Sequence, residues 1–283
     1  MKRNIKINLM LILLSIVFLS QDAFSSAEEE FHKTITIPAE TEVNVSNVNG
    51  NIRVLGWDED YVDIYALKTT KLGQDELDRV TIDVSVNGVV DIVTVTRKRE
   101  DSNDSFFSRI FGEFISKSPK VNVEYTIKLP MSVILANASS TNGNVEVDGT
   151  TGDSSLRTTN GSVRVKNTNG FIDAKSTNGN ISITEGAVAI SARTTNGSIT
   201  AAISDDIMDE TNISTTNGSI TLYVTKDINV DIELRTVNGG INLNDISMMV
   251  DNFSKRSVSG TLGSGGKSIS ARTVNGSISL EEQ

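Results

Sequence analysis

Residues 138–148 read Ala-Ser-Ser-Thr-Asn-Gly-Asn-Val-Glu-Val-Asp, and eighteen residues later 156–166 read Leu-Arg-Thr-Thr-Asn-Gly-Ser-Val-Arg-Val-Lys. The pair at their centre recurs as Asn142-Gly143, Asn160-Gly161, Asn178-Gly179, Asn196-Gly197, Asn217-Gly218, Asn238-Gly239 and Asn275-Gly276, with Ser259-Gly260 filling the one gap. The intervals are 18, 18, 18, 21, 21, 21 and 16. A second glycine corner stands midway through the early units at Thr151-Gly152 and Asn169-Gly170, so the underlying unit there is nine residues.

Aligned on Asn, the third residue onward is aliphatic in every copy: Val145, Val163, Ile181, Ile199, Ile220, Ile241, Leu262 and Ile278. The fifth is mostly apolar and the fourth mostly polar, the period-two alternation of a strand with one buried face. The fourth residue before Asn is again mostly apolar, so a second strand enters each corner from that side. Units this short cannot bury a face alone and must stack on one another. The expectation is an all-β chain, a single elongated β-solenoid of the β-helix kind, with an irregular N-terminal β cap and one short amphipathic helix. Asn-Gly suits a corner that needs positive φ, but it also suits the type I′ turns of an antiparallel meander. Identical residue types at fixed offsets favour the solenoid.

Upstream, residues 33–135 alternate in longer strands, with Asn87-Gly88 as a hairpin turn and Gly73 to Arg79 as a short helix. Asn49-Gly50-Asn51-Ile52-Arg53-Val54 already carries the repeat signature. Residues 28–135 are therefore the first coils and cap of the solenoid that residues 136–283 continue. Before them, Lys2, Arg3 and Lys6 precede an apolar stretch from Leu9 to Leu19 and the small residues Ser25, Ser26 and Ala27, the pattern of a secretory signal peptide over 1–27. A cut after Ser25 competes with one after Ala27. The apolar stretch is about half the roughly 20 residues that span a bilayer, and no later one is long enough, so the mature chain is expected to carry no transmembrane segment.

Without residues 1–27 the net charge is near −12, which argues against nucleic acid as a partner. There is no cysteine, so neither disulfides nor a lipid anchor on cysteine contribute. His32 is the only histidine, which removes Ser-His-acid catalysis and histidine metal sites. A calcium β-roll also repeats every nine residues but places Asp among its glycines, and these corners carry Thr, Asn, Gly and Ser. The outward position after the corner pairs acids with bases, Glu146 beside Arg164 and Asp148 beside Lys166, as ladder ion pairs rather than a two-carboxylate glycosidase site. No enzyme, no metal and no cofactor are expected.

Three residues before Asn, the position reads Ser139, Arg157, Lys175, Arg193, Ser214, Arg235, Arg256 and Arg272. If these point outward, coils about 4.8 Å apart carry a line of like charge. Either Asp173, Glu233 and other acids neutralise it, or it binds an extended anionic partner such as an acidic surface glycan, lipopolysaccharide phosphate or an envelope protein. The Ser and Thr residues just before the corner are expected to close hydrogen bonds there. Between Ser105 and Lys117, Phe106, Phe107, Ile110, Phe111 and Phe114 fall on one face of an amphipathic helix, either a plug over the open core or a face for a membrane or protein partner.

Val48-Asn49-Gly50-Asn51-Ile52-Arg53-Val54 leading to Gly56-Trp57-Asp58, the acidic helix before Val80, the Tyr125 to Pro130 strand and the Asn-Gly coils together resemble the bacterial "putative-adhesin" family of unknown function, exported β-solenoids. The resemblance covers nearly all of the mature chain. It implies the fold and a periplasmic or cell-surface location, and it brings no catalytic residues. An adhesin-like binding or scaffolding module is the expected role, with an envelope-stress accessory that docks a membrane protein as the alternative.

Overall fold

The computed structural model describes residues 26–97, 120–184, 186, 188–203 and 210–282. Among them the strands form two sheets, one of eleven strands and one of twelve. Each repeat Asn-Gly pair is a corner between them, whereas Asn87-Gly88 turns a hairpin within the twelve-stranded sheet. The strand that enters the corner, such as Ser154–Asn160, belongs to the twelve-stranded sheet, and the strand that leaves it, Val163–Lys166, to the other.

Neighbouring coils pair in parallel and in register, Asn160 opposite Asn142 on one side and Asn178 on the other. This pairing removes the meander, in which neighbouring strands run antiparallel. The alternation sends Leu156, Val163 and Val165 inward, each at most 2% exposed, while Arg157 and Arg164 face out. The second corner forms as well: Thr151 bridges both Ile134 and Asn169, and Gly152 N donates to Asn169 O.

Order along the chain is not order in space. The coil of Glu42–Asn49 and Ile52–Trp57 lies directly against the Asn142 coil. On its other side stand Val90–Thr96 and Asn122–Pro130, both parallel to it. Antiparallel strands then finish this end: Val80–Val86 on Val90–Thr96, and Val62–Thr70 on Asn122–Pro130 followed by Ala27–Ile35. Strands from before residue 135 thus continue the same two sheets.

At the opposite end, Lys267–Asn275 is paired with Thr211–Asn217 on one side and Val230–Asn238 on the other. Ile278–Glu282 is likewise held between Ile220–Val224 and Ile241–Asn244. The Asn275 coil is therefore wedged between the Asn217 and Asn238 coils. Ser259-Gly260 is no corner, which corrects the series above. Both residues sit within the antiparallel strand Ser257–Leu262, opposite Glu233 and Ile232 of Val230–Asn238. That strand buries Val258 and Leu262 by hairpin pairing, with Met249–Phe253 beyond it at the sheet edge.

The N-terminal end holds a buried polar cluster. Asn47 donates to Gly50 O and Val123 O and accepts from Thr94 Oγ1, which meets the Tyr125 hydroxyl at 2.8 Å. Lys68, 5% exposed, is neutralised by Glu29 at 2.8 Å and donates to Val80 O. Burial, partly offset by the Thr94 hydrogen bond, pushes the Tyr125 phenol up to about 12 from its usual 10.0. A raised pKa means that the folded state holds the proton more tightly, so this contribution is full below pH 10 and fades as pH rises toward 12. Urea titrations should show wild type losing about 2 kcal/mol more stability than Tyr125→Phe across that window. Equal losses would place the sensitivity elsewhere.

Candidate binding face beside the corner ladder

The corners hold the positions next to them in fixed geometry. Each corner asparagine donates its side-chain amide to the side-chain oxygen of the coil before it in space. The ladder runs unbroken through Asn49, Asn142, Asn160, Asn178, Asn196, Asn217, Asn275 and Asn238 at 2.8–2.9 Å. Two residues earlier, the hydroxyls of Ser140, Thr158, Ser176, Thr194, Thr215, Thr273 and Thr236 turn inward and donate to a glycine carbonyl of the neighbouring coil at 2.7–3.0 Å.

Those carbonyls explain the glycines. None of Gly143, Gly161, Gly179, Gly197, Gly218, Gly239 and Gly276 has positive φ, contrary to the sequence-based reason for them. A Cβ on any of the seven would instead stand 1.8–2.1 Å from the carbonyl oxygen of the glycine stacked beneath. Close backbone approach, the other use of glycine, is what the corner requires.

With the position two before Asn turned inward, the position three before it must face out, and it does. In spatial order it reads Ser46, Ser139, Arg157, Lys175, Arg193, Ser214, Arg272 and Arg235. Arg157, Lys175 and Arg193 form one contiguous run of three exposed cations, and Ser214 separates it from Arg272 and Arg235. Arg256 lies outside this column, a correction to its place in the stripe. Its neighbour Ser257 pairs with Arg235, and Arg256 itself belongs to a turn whose carbonyl accepts from Thr236 N at 2.9 Å.

Neutralisation is partial. Asp173 meets Arg157 at 3.4 Å, and Glu233 bridges Arg235 and Arg272. Among the described residues no carboxylate lies within ion-pair distance of Lys175, Arg193 or Arg256, whereas on the other sheet Arg53 pairs with Glu146 and Lys166 with Asp148. The Asp148 carboxyl is held below its usual range first by the hydrogen bond from Asn167 and then by Lys166.

His32 Nε2 lies 2.6 Å from Asp63 Oδ1 on exposed antiparallel strands. No group of three or more potential metal ligands occurs among the described residues, and none of their helices is long and apolar enough to cross a membrane. Phe106, Phe107, Ile110, Phe111 and Phe114 fall outside the described residues.

A family model described as Toastrack DUF4097 matches residues 10–281. The chain belongs to that family. Several solved structures are similar to this Toastrack chain. One is described as a "putative cell adhesion protein" of Clostridium sporogenes, 11% identical, with 91% of this chain and 100% of that one covered and a TM-score of 0.33. A "putative adhesin" of Bacteroides fragilis is 14% identical over 90% and 97%, with a TM-score of 0.45. Another, of Parabacteroides merdae, is 12% identical over 90% and 96%, with a TM-score of 0.32. No curated protein matches the chain.

Proposed function

We propose that this Toastrack protein is an exported, non-catalytic binding module, adhesin-like or scaffolding, that engages an extended anionic partner along the outward face of its twelve-stranded sheet. In this reading residues 28–135 cap the repeat of 136–283 as one domain. The basic, apolar and small-residue order of residues 1–27 supports export, to the periplasm or cell surface.

The observation that carries the reading is the Arg157, Lys175 and Arg193 run, in which two of three cations have no carboxylate partner among the described residues. Cations at coil spacing repel by about 1 kcal/mol per neighbouring pair even in water. Carboxylates at the flanking outward position would relieve this, but beside Arg193 that position is Ser191. A polyanion such as an acidic glycan or the phosphates of lipopolysaccharide would relieve it along the whole run.

The test is binding of the mature protein to acidic and neutral bacterial glycans at low and moderate salt. Binding to acidic glycans that weakens with salt, and at least about tenfold through Lys175→Glu with Arg193→Glu, is the expected result. Unchanged binding by the double variant would sink the proposal.

A further inference from the structure

Three features meet at one place on the same face, beyond the Ser214 interruption. The first is a groove of about 570 Å³ lined by Ser214, Arg235, Val237, Arg256, Arg272 and Val274 among others. Its volume falls within the range of small-molecule sites. The second is a departure from the repeat. The outward residue just before the corner asparagine is threonine at Thr141, Thr159, Thr177, Thr195 and Thr216; it is valine at Val48 of the distant Asn49 coil and, in two coils side by side, at Val274 and Val237 under the groove. Both valines are exposed, at 40% and 54%. The third is Arg256, which the column does not supply.

Arg256 is set in place by its turn. Its carbonyl accepts from Thr236 N, Ser254 N donates to Ser257 O at 2.8 Å, and Ser257 N donates to Ser254 Oγ at 3.0 Å. The turn places a third arginine on the lining of the groove, with Glu233 the only carboxylate among the described residues paired to any of the three. The groove thus joins an apolar floor of valine methyls and arginine stems to a positive rim. A polyanion needs the second of these but gains nothing from the first.

We infer that this groove is a separate site for a small anionic amphiphile, a phosphate or carboxylate joined to an alkyl chain, with Arg256 and its two neighbouring arginines on the anion and Val237 and Val274 under the chain. The guanidinium fork suits either anion.

Decyl phosphate below its aggregation concentration is the probe, with inorganic phosphate and decanol as its separate halves, each titrated by calorimetry against the full mature chain. Decyl phosphate should bind at least about tenfold more tightly than either half, since each buried methylene adds favourable transfer energy. Val237→Thr with Val274→Thr restores the residue that other coils carry at this position, so the fold should tolerate it. Affinity for decyl phosphate should fall about tenfold, and phosphate binding should not change. Arg256→Gln should weaken both anions. Lys175→Glu with Arg193→Glu should leave this site intact, which separates its failure from failure of the polyanion reading. Equal affinity for phosphate and decyl phosphate would overturn the inference. So would decyl phosphate binding that survives the valine exchange but is lost with Met249→Ser and Phe253→Ser at the exposed sheet edge.

Discussion

Gly239→Ala should lower the unfolding free energy by about 3 kcal/mol, while Gly240→Ala, one residue along, should change it by less than about 0.5 kcal/mol or raise it slightly. At Gly239 a methyl group would be driven to 1.9 Å from Gly276 O and 2.6 Å from its carbon, and nothing lies within 4 Å of the same atom at Gly240. The obstruction is backbone, so no side-chain rotamer relieves it. Relief requires the Asn238 and Asn275 coils to part, and that stretches the 3.1 Å bond from Gly276 N to Asn238 O and the 2.8 Å bond from Thr236 Oγ1 to Gly276 O. Urea unfolding of the two variants is a sufficient measurement. Equal, small effects would mean that the corners are not held at backbone contact.

The second large effect concerns the wedged coil. A chain ending at Gly266 should leave the Asn217 coil, still paired with the Asn196 coil on its other side, and the Asn238 coil unable to form one protected unit in hydrogen exchange. Ile269, Ala271, Ile278 and Leu280 are fully buried, and the three larger side chains alone represent about 6 kcal/mol of apolar burial. That is comparable with the whole stability of an ordinary domain. In a solenoid laid down in chain order, removing the last coil exposes one interface. Here it exposes two, because Lys267–Asn275 pairs on both edges. Exchange protection retained at Ile213 and Leu234 in the shortened chain would refute the wedge.

The buried columns were legible because a period of two needs only residue identities. Val145, Val163 and Ile181 fall at one offset, and they stack. The stacking order was not legible. Every coil from Asn142 on carries the same asparagine, hydroxyl and aliphatic residue types at the same offsets, so Asn217 can accept Asn238 or Asn275 with equal local chemistry, and the choice rests on the path of residues 245–266. The hairpin in that path also mimics a repeat. Ser259-Gly260 has an aliphatic residue three positions on, Leu262, but it is buried through pairing with Val230. Arg256 entered the basic column by the same coincidence. The glycines were found for an incomplete reason, since a dipeptide that tolerates positive φ looks the same as one that tolerates a neighbour at contact distance.

The face beside the ladder was legible in its cations and not in its relief. That Ser214 interrupts them depends on which strands adjoin, and that Lys175 and Arg193 lack an ion-pair partner among the described residues depends on Asp173 meeting Arg157 and on Ser191 standing beside Arg193. The valines at Val237 and Val274 stand in plain view as exceptions to threonine. Only the wedge sets them side by side.

A stack assembled in chain order can be lengthened, shortened or frayed one rung at a time from its free end. This one behaves as an arch, with the stretch 267–282 as its keystone. An emerging chain can close the rungs up to Asn217, which stacks on Asn196, but the Asn238 rung cannot join that stack until the stretch arrives. An interrupted copy would display two bare strand edges, available to quality-control proteases or to another chain, while a finished copy has the same segment held on both sides and out of reach of stepwise trimming.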